Sequence, residues 1–186
     1  MQIIRALPLS ANQYVIRNFQ QNIEPPEECP HCRALNTLAA LGYYSRNVTK
    51  VERGVLRISV RRFRCRACSK TVSVLPSFVQ PYRLVLNVTI SEFFGGTIGT
   101  NALSWLHLLK QYWHRFSGWL PRIDRIVRSA IARAPPHSDA IGWWQLLAAT
   151  FGDLEKITAV LVARFGVTLF GRYRCHSPCS PGPPAN

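Results

Sequence analysis

Acidic side chains are scarce in this chain of 186 residues, which has 9 Asp and Glu residues against 23 Lys and Arg residues and a formal net charge of +14. Such an excess of positive charge favours a polyanionic partner, with nucleic acid first and an anionic membrane surface second. The plain alternative is a basic protein whose charges only keep it in solution.

Long apolar runs are also missing. The N-terminal stretch "MQIIRALPLSANQY" has no apolar core of signal-peptide length and no small-residue cleavage site. The longest uncharged stretch, after Phe93 and before Lys110, is interrupted by polar residues and three glycines. We therefore expect a soluble, cytoplasmic protein without a transmembrane helix.

A reducing cytosol disfavours disulfides, so the cysteines are interpreted first as metal ligands. Two C-x-x-C pairs, "CPHC" and "CRAC", are separated by 32 residues and supply Cys29, Cys32, Cys65 and Cys68. Four thiolates in a tetrahedral array are typical of structural zinc, so the spacing predicts a Zn²⁺ site. Disulfides and a rubredoxin-like iron site are the alternatives.

The sequence between the two pairs alternates as strands do. "LGYYSRNV" and "VLRISVRRFRC" flank a turn at residues 52–54, where Gly54 suits a positive φ. The apolar alternation changes phase between Val60 and Phe63, which predicts a β-bulge at Arg61 and Arg62. Two knuckles joined by a hairpin make a zinc ribbon.

Glycine is absent from the position after each C-x-x-C pair, where zinc knuckles often have one. Arg33 and Ser69 occupy these positions. A non-glycine residue at positive φ costs roughly 1 kcal/mol, so the knuckles either use another turn or hold this strain with help from the metal.

Most of the positive charge lies on the predicted ribbon. Residues 29–83 contain eleven basic side chains and one acidic one, interleaved with Tyr43, Tyr44 and Phe63. Arginine forks bind phosphates and aromatic rings pack on sugars or bases, which favours a nucleic-acid surface. Arginines that only solvate a metal-stapled domain are the alternative. The candidate nucleic-acid residues are Arg46, Arg57, Arg61, Arg62, Arg64, Arg66 and Lys70.

The motifs "CPHC", "GYYSR" and "RRFRCRACSKTVSVLPSFVQPY" resemble the zinc-ribbon module of bacterial transposases and of short proteins related to them. The resemblance covers about residues 29–83. It implies a zinc-binding module that contacts transposon-end DNA, with the four cysteines as ligands, and it does not imply catalysis.

Helical patterns follow the ribbon. Apolar residues at helical spacing predict a helix from Asn101 to Leu120 and a second one beginning at Pro121, with Asp124 able to pair with Arg128. Ser138 and Asp153 are expected to cap a third and a fourth helix, the last ending at Gly166.

The predicted fold class is therefore α+β, with an N-terminal zinc ribbon followed by a mostly helical region. The expected divisions are an N-terminal extension, the ribbon, a linker, a helical region and a flexible C-terminal tail, at residues 1–28, 29–75, 76–83, 84–166 and 167–186.

Two interpretations of residues 87–109 are open. They form a helix-turn-helix, as transposase DNA-binding regions often do, or they belong to a tryptophan-rich helical core. The glycine-rich turn and the shortage of DNA-reading side chains before Lys110 favour the core.

Catalysis is not expected. Strand transfer by the usual transposase fold needs three carboxylates on a mixed sheet that hold two divalent metals. The acidic residues after the ribbon all fall in predicted helices or their caps: Glu92, Asp124, Asp139, Asp153 and Glu155.

Other candidate ligands are weaker. His31 lies inside a knuckle that four thiolates already complete, and His107 and His114 are more typical of surface or core histidines than of a metal pair. Cys175, His176 and Cys179 form a half-site without a partner in a tail rich in Ser and Pro.

The favoured function is a DNA-binding accessory or truncated module of a transposase-like mobile element. The alternative is a zinc-ribbon interaction module that binds RNA or a protein partner.

Overall fold

A computed structural model describes residues 1–50, 54–97, 105–128 and 138–172. The α+β class is confirmed, because a four-stranded mixed sheet precedes several helices. The elements are β1 (Gln2–Arg5), α1 (Ala11–Ile16), a 3₁₀ helix (Phe19–Asn22), β2 (Leu38–Lys50), β3 (Gly54–Cys65), β4 (Thr71–Pro76), α2 (Asn87–Phe94), α3 (Leu106–Val127), α4 (Ala140–Phe151), α5 (Leu154–Phe165), β5 (Val167–Thr168) and β6 (Gly171–Arg172).

The main sheet has the strand order β1-β4-β3-β2. β2 and β3 form the long antiparallel hairpin that the alternation predicts, and Gly54, with φ at +73°, pairs with Lys50 beside the turn. Residues 51–53, where the rest of that turn was expected, lie outside the described residues. β1 adds to the far side of β4 in parallel, so residues 1–28 contribute a strand to the sheet.

The predicted bulge at Arg61 and Arg62 is wrong, because the irregularity lies in the facing strand. Ala40 pairs with Phe63 and Gly42 pairs with Arg62, which leaves Leu41 without a partner in β3. Gly42 has φ at +129°, a conformation that side-chain-bearing residues rarely adopt. β3 therefore stays regular. Its apolar residues change from one face of the strand to the other, because one face is buried at one end of the strand and the opposite face is buried at the other end.

The segment from Ser77 to Leu86 connects the sheet with the helices and is largely buried. Thr49 of β2 donates its backbone N–H to the Leu84 carbonyl and accepts from the Leu86 N–H. Gln80 donates from Nε2 to Thr158 Oγ1 of α5 at 2.6 Å, in a buried environment. The segment that was expected to be a linker is thus hydrogen-bonded to β2 and to α5.

The helices surround an aromatic core. The Phe94 ring lies 4.8 to 6.2 Å, centroid to centroid, from the rings of Trp113, Phe116, Trp144 and Phe170. The tryptophan-rich core is confirmed. α2 ends at Phe94 and α3 begins at Leu106. Residues 98–104, which a helix-turn-helix over residues 87–109 would include, lie outside the described residues, so that interpretation stays a prediction.

Two helix boundaries differ from the prediction. α3 continues through Pro121, because Leu120 and Ile123 on either side of it are buried in the same core. Asp139, and not Ser138, caps α4, since its carboxylate accepts from the Gly142 N–H at 2.8 Å. The expected start of a helix at Asn101 lies outside the described residues.

Other helix signals are confirmed. Asp153 caps α5, Gly166 ends it in the left-handed conformation, and Asp124 pairs with Arg128. Beyond Gly166, Val167 and Leu169 are buried beside the helical core. Among the described residues, no helix is long and apolar enough to cross a membrane.

Candidate metal centre and basic surface

The two C-x-x-C turns have the same backbone hydrogen bonds. In the first, the Arg33 N–H donates to the Cys29 carbonyl and the Cys29 N–H donates to the Ala34 carbonyl. In the second, the Ser69 N–H donates to the Cys65 carbonyl and the Cys65 N–H donates to the Lys70 carbonyl. Each turn places the sulfurs of its two cysteines on the side that faces the other turn.

Arg33 and Ser69 occupy the left-handed region, with φ at +65° and +58°. This confirms that the position after each knuckle requires a positive φ and that two non-glycine residues adopt it at a cost of roughly 1 kcal/mol each. The knuckles therefore use the expected turn.

The four Sγ atoms converge at this end of the hairpin. All four lie within 4.8 Å of one another, with 3.8 Å between Cys29 and Cys68 and 3.6 Å between Cys32 and Cys65. Sulfurs that surround one ion as a tetrahedron, with metal–sulfur bonds of about 2.3 Å, are about 3.8 Å apart. The four cysteines are therefore close enough to hold a metal ion.

Hydrogen bonds lower the pKa of the Cys65 thiol. The Thr37 hydroxyl lies 3.2 Å from its Sγ and the Cys68 N–H points to the same sulfur at 3.5 Å. These donors, Thr37 first, lower the pKa of Cys65 to about 6. A thiolate, not a thiol, is the form that binds metal.

Cys32 shows the opposite shift. A backbone hydrogen bond at Ala34 lowers its pKa, but desolvation and hydrogen bonds with the other three cysteines outweigh it and raise the pKa to about 12. The pKa values of Cys65 and Cys32 are thus shifted in opposite directions in the metal-free protein. A metal ion bound by the four sulfurs would displace the thiol protons, because thiolates are the binding form.

Sequence reasoning missed Thr37. It lies between the knuckle and β2, outside the C-x-x-C pattern, and no spacing rule links it to Cys65. A hydroxyl that hydrogen-bonds a metal ligand orients that ligand and tunes its basicity.

The candidate nucleic-acid residues do not share one face of the hairpin. The Arg61 guanidinium lies over the Tyr43 ring at 4.6 Å and the Phe63 ring at 5.5 Å, whereas Arg62 lies over Tyr44 at 6.0 Å. Strand alternation places Arg57 with Arg61 on the first face, and Arg64 with Arg62 on the second.

The face that carries Arg57 and Arg61 is here called the outer face, because its β2 residues Tyr43, Ser45 and Asn47 are exposed. Arg57 is exposed, and Arg61 is half-buried against its two rings. Arg64, Arg66 and Lys70 are also exposed, the last two beside the second knuckle.

Arg46 has internal partners. Its Nη2 donates to the carbonyls of Gln80, at 2.7 Å, and of Arg83. Burial lowers its pKa. The guanidinium therefore fastens β2 to the connecting segment, and its contact with nucleic acid stays a prediction.

The weaker ligand candidates are not assembled with the cluster. His31, His107 and His114 are exposed, and none of them joins the four cysteines. Cys175, His176 and Cys179 lie outside the described residues.

The fold and the site together define a small α+β protein with a four-cysteine candidate metal centre and a basic hairpin. Residues 29–103 are similar to a domain of unknown function, DUF6431. That range begins at Cys29, the first cysteine of the cluster, and includes the hairpin, the connecting segment and α2. No curated protein and no solved structure matches the chain.

Proposed function

We propose that this protein is a zinc-binding, DNA-binding module related to transposases, and that it acts as an accessory or truncated part of a mobile-element protein. The convergence of the four cysteine sulfurs beside a hairpin with many arginines carries the proposal.

Zinc fits the cluster best. The Sγ separations of 3.6 and 3.8 Å are far longer than a disulfide bond of about 2.05 Å and match the edge of a ZnS₄ tetrahedron. Cys29, Cys32, Cys65 and Cys68 would hold the ion, which would supply folding free energy and no reaction chemistry. The Thr37 hydroxyl supports the same assignment by stabilising the Cys65 thiolate.

The outer face would bind DNA phosphates. Arg57 offers an exposed guanidinium, and Tyr43 and Phe63 hold Arg61 in place, so that less side-chain entropy is lost when it binds a phosphate. Ser45 and Asn47 lie on the same face and can donate hydrogen bonds to the backbone of the nucleic acid.

A catalytic role is not part of the proposal. Glu92, Asp124 and Glu155 lie within helices, and Asp139 and Asp153 accept hydrogen bonds as helix caps. We expect the protein with magnesium or manganese neither to nick nor to join transposon-end DNA. Cleavage that disappears when Asp124 or Glu155 is changed would contradict this.

The binding test uses the salt dependence of affinity for duplex DNA. Removal of one phosphate-binding cation lowers the slope of log affinity against log salt by about 0.9. Arg57→Ala with Arg61→Ala should lower it by about 2 and leave bound zinc unchanged, since neither residue is a ligand.

The control removes two exposed charges elsewhere, with Arg17→Ala and Arg164→Ala, and should leave the slope near that of the unchanged protein. An outer-face variant that behaves like this control would defeat the DNA-binding proposal. A loss of affinity for RNA but not for duplex DNA would favour the alternative, an RNA-binding ribbon.

A further inference from the structure

A second basic surface lies on α3, outside the matched range and away from the cysteines. It is here called the α3 face. The buried side of α3 consists of apolar and aromatic residues such as Leu109, Phe116 and Ile123, which pack in the helical core. The exposed side carries His107, Lys110, His114, Arg115, Arg122 and Arg125.

These six side chains lie on one side of the helix. At 100° per residue they fall within an arc of about 140°, and Lys110 and Arg125 are about 22 Å apart along the axis. A rigid rod that presents cations over this length matches the regular array of phosphates along a duplex.

Among the described residues, no carboxylate pairs with the cations of the α3 face. In the described part of the chain the ion pairs are Arg33 with Glu28 and Arg128 with Asp124. Asp124 is the one acidic residue of α3, and it forms an ion pair with Arg128, which follows the last residue of the helix. Lys110, Arg115, Arg122 and Arg125 remain available to an anion.

The positive surface continues from α3 to the connecting segment. The Arg83 guanidinium lies 5.5 and 5.6 Å from the rings of Tyr112 and Phe170, and its Nε is buried without a hydrogen-bond partner. Desolvation, followed by the charge of nearby Arg115, lowers the pKa of Arg83. A bound anion would relieve this repulsion between like charges.

The middle of the α3 face permits close approach. Gly118 is exposed, and a Cβ built on it would meet nothing within 4 Å. Glycine is unfavourable inside a helix, but it allows another backbone to come near.

The exposed aromatic rings that single-stranded nucleic acid needs are missing from the described residues of this face. Trp113 and Trp119 are half-buried against the core, and Arg122 covers Trp119 at 4.8 Å from its ring. A phosphate array, and not unstacked bases, is therefore the matching partner.

We propose that the α3 face, together with Arg83 beside Arg115, binds the phosphate backbone of duplex DNA as a second contact surface, separate from the outer face of the hairpin. The inference rests on the proposed function, because it assumes that the protein binds DNA. The face contributes affinity with little dependence on base sequence, because its side chains are cations suited to phosphates.

The test measures the salt slope of binding to duplex DNA by the full zinc-loaded chain. Lys110→Gln, Arg122→Gln and Arg125→Gln together should lower the slope by about 2.7. Replacement by Lys110→Arg, Arg122→Lys and Arg125→Lys should restore most of it. Circular dichroism must show unchanged helicity in both variants.

The matched control removes three exposed charges elsewhere, with Arg17→Gln, Lys156→Gln and Arg164→Gln. If the α3 variant gives the same slope as this control, while the Arg57 and Arg61 variant still lowers it, the inference is wrong and the function proposed for the hairpin stands. The reverse result supports the α3 face and defeats the hairpin.

Two further probes test the class of partner. Equal effects of the α3 variant on single-stranded and duplex DNA would overturn the assignment to a duplex. So would a loss of binding to phosphatidylserine-containing phosphatidylcholine vesicles with no change in binding to DNA.

Discussion

The helical region and the two knuckles differ in the kinds of side chain that they bury. Around Phe94, five aromatic rings of the described residues pack at centroid distances of 4.8 to 6.2 Å, and the neighbouring apolar residues of α3, α4 and α5 are buried with them. At the knuckles Cys29 and Cys65 are buried, but His31, Arg33, Arg66 and Ser69 around them are exposed.

The difference indicates where a bound metal would add most to stability. Aromatic packing can hold the helices together without a ligand, because burial of each large side chain contributes about 1.5 to 3 kcal/mol. The two knuckles add Cys29 and Cys65 to the buried cluster of the sheet but no large aliphatic or aromatic side chain, and they contain two residues at positive φ. A metal ion that cross-links the four sulfurs would therefore contribute much of their stability.

Metal removal should give the largest effect and should distinguish the two regions most directly. Structural zinc contributes on the order of 10 kcal/mol of folding free energy. A strong chelator, or Cys65→Ser, should therefore remove hydrogen-exchange protection from β2 and β3 and leave α4 and α5 protected.

Native mass spectrometry of the untreated protein should show one zinc per chain. A stoichiometry near zero, or protection in the hairpin that survives chelation, would contradict the prediction. Loss of protection in all helices at once would show that the two regions unfold as a unit.

Phe94→Ala should give the next largest effect, and this effect should appear in the helical region. Loss of a buried phenylalanine costs about 3 to 5 kcal/mol, because it leaves a cavity among the surrounding rings. Denaturant unfolding should show this loss in the helical region, with one zinc still bound.

Val88→Ala provides the control in the same helix, because Val88 is 48% exposed. Its effect should stay within about 0.5 kcal/mol. A Phe94→Ala protein that releases zinc would show that the aromatic core supports the knuckles. That result would contradict the expectation that the two regions are stabilised separately.

Thr37→Val should give the smallest effect and sharpen the contrast between the knuckles and the aromatic core. It removes the hydroxyl that hydrogen-bonds Cys65 and should weaken zinc affinity by about tenfold. Thr37→Ser retains the hydroxyl and should bind zinc almost as the unchanged protein does. Competition with a chromophoric chelator measures the zinc affinity of both variants. Equal affinities would show that the Thr37 hydroxyl does not contribute to zinc binding.

The same substitution should change the pH dependence. In the metal-free protein the pKa of Cys65 is lowered from 9.0 to about 6, so the folded state binds this proton more weakly than the unfolded chain does. The resulting stabilisation is fully present above the ordinary thiol pKa and is lost as pH falls through about 6. Without the Thr37 hydroxyl this pKa rises, and acid should release zinc at a higher pH.

Local patterns were enough to predict much of the fold and the ligand set. The C-x-x-C spacing identified the four cysteines that converge, and the alternation around Gly54 predicted the hairpin. Asp153 and Gly166 marked the ends of α5, because capping depends on residues within one turn of the helix end.

Features that depend on distant residues were not predictable. The phase change near Val60 signalled an irregularity, but the sequence of β3 alone could not show that Gly42 on the partner strand would accommodate it. Pro121 was interpreted as a helix start, because no local rule shows that the core would hold both sides of it in one helix. Thr37 and the internal role of Arg46 depend on tertiary contacts alone.

The parallel pairing of β1 with β4 has a consequence for synthesis on the ribosome. Gln2 pairs with Ser73, and the Leu7 N–H donates to Ser77 Oγ across 70 residues. At about 5 to 20 residues per second, β1 waits on the order of ten seconds before its partner strand emerges. During that interval Ile3 and Ile4 are unpaired, so the nascent chain exposes an apolar strand that chaperones can bind. Zinc captured by the knuckles would hold β3 in place as the template on which β4, and then β1, can add.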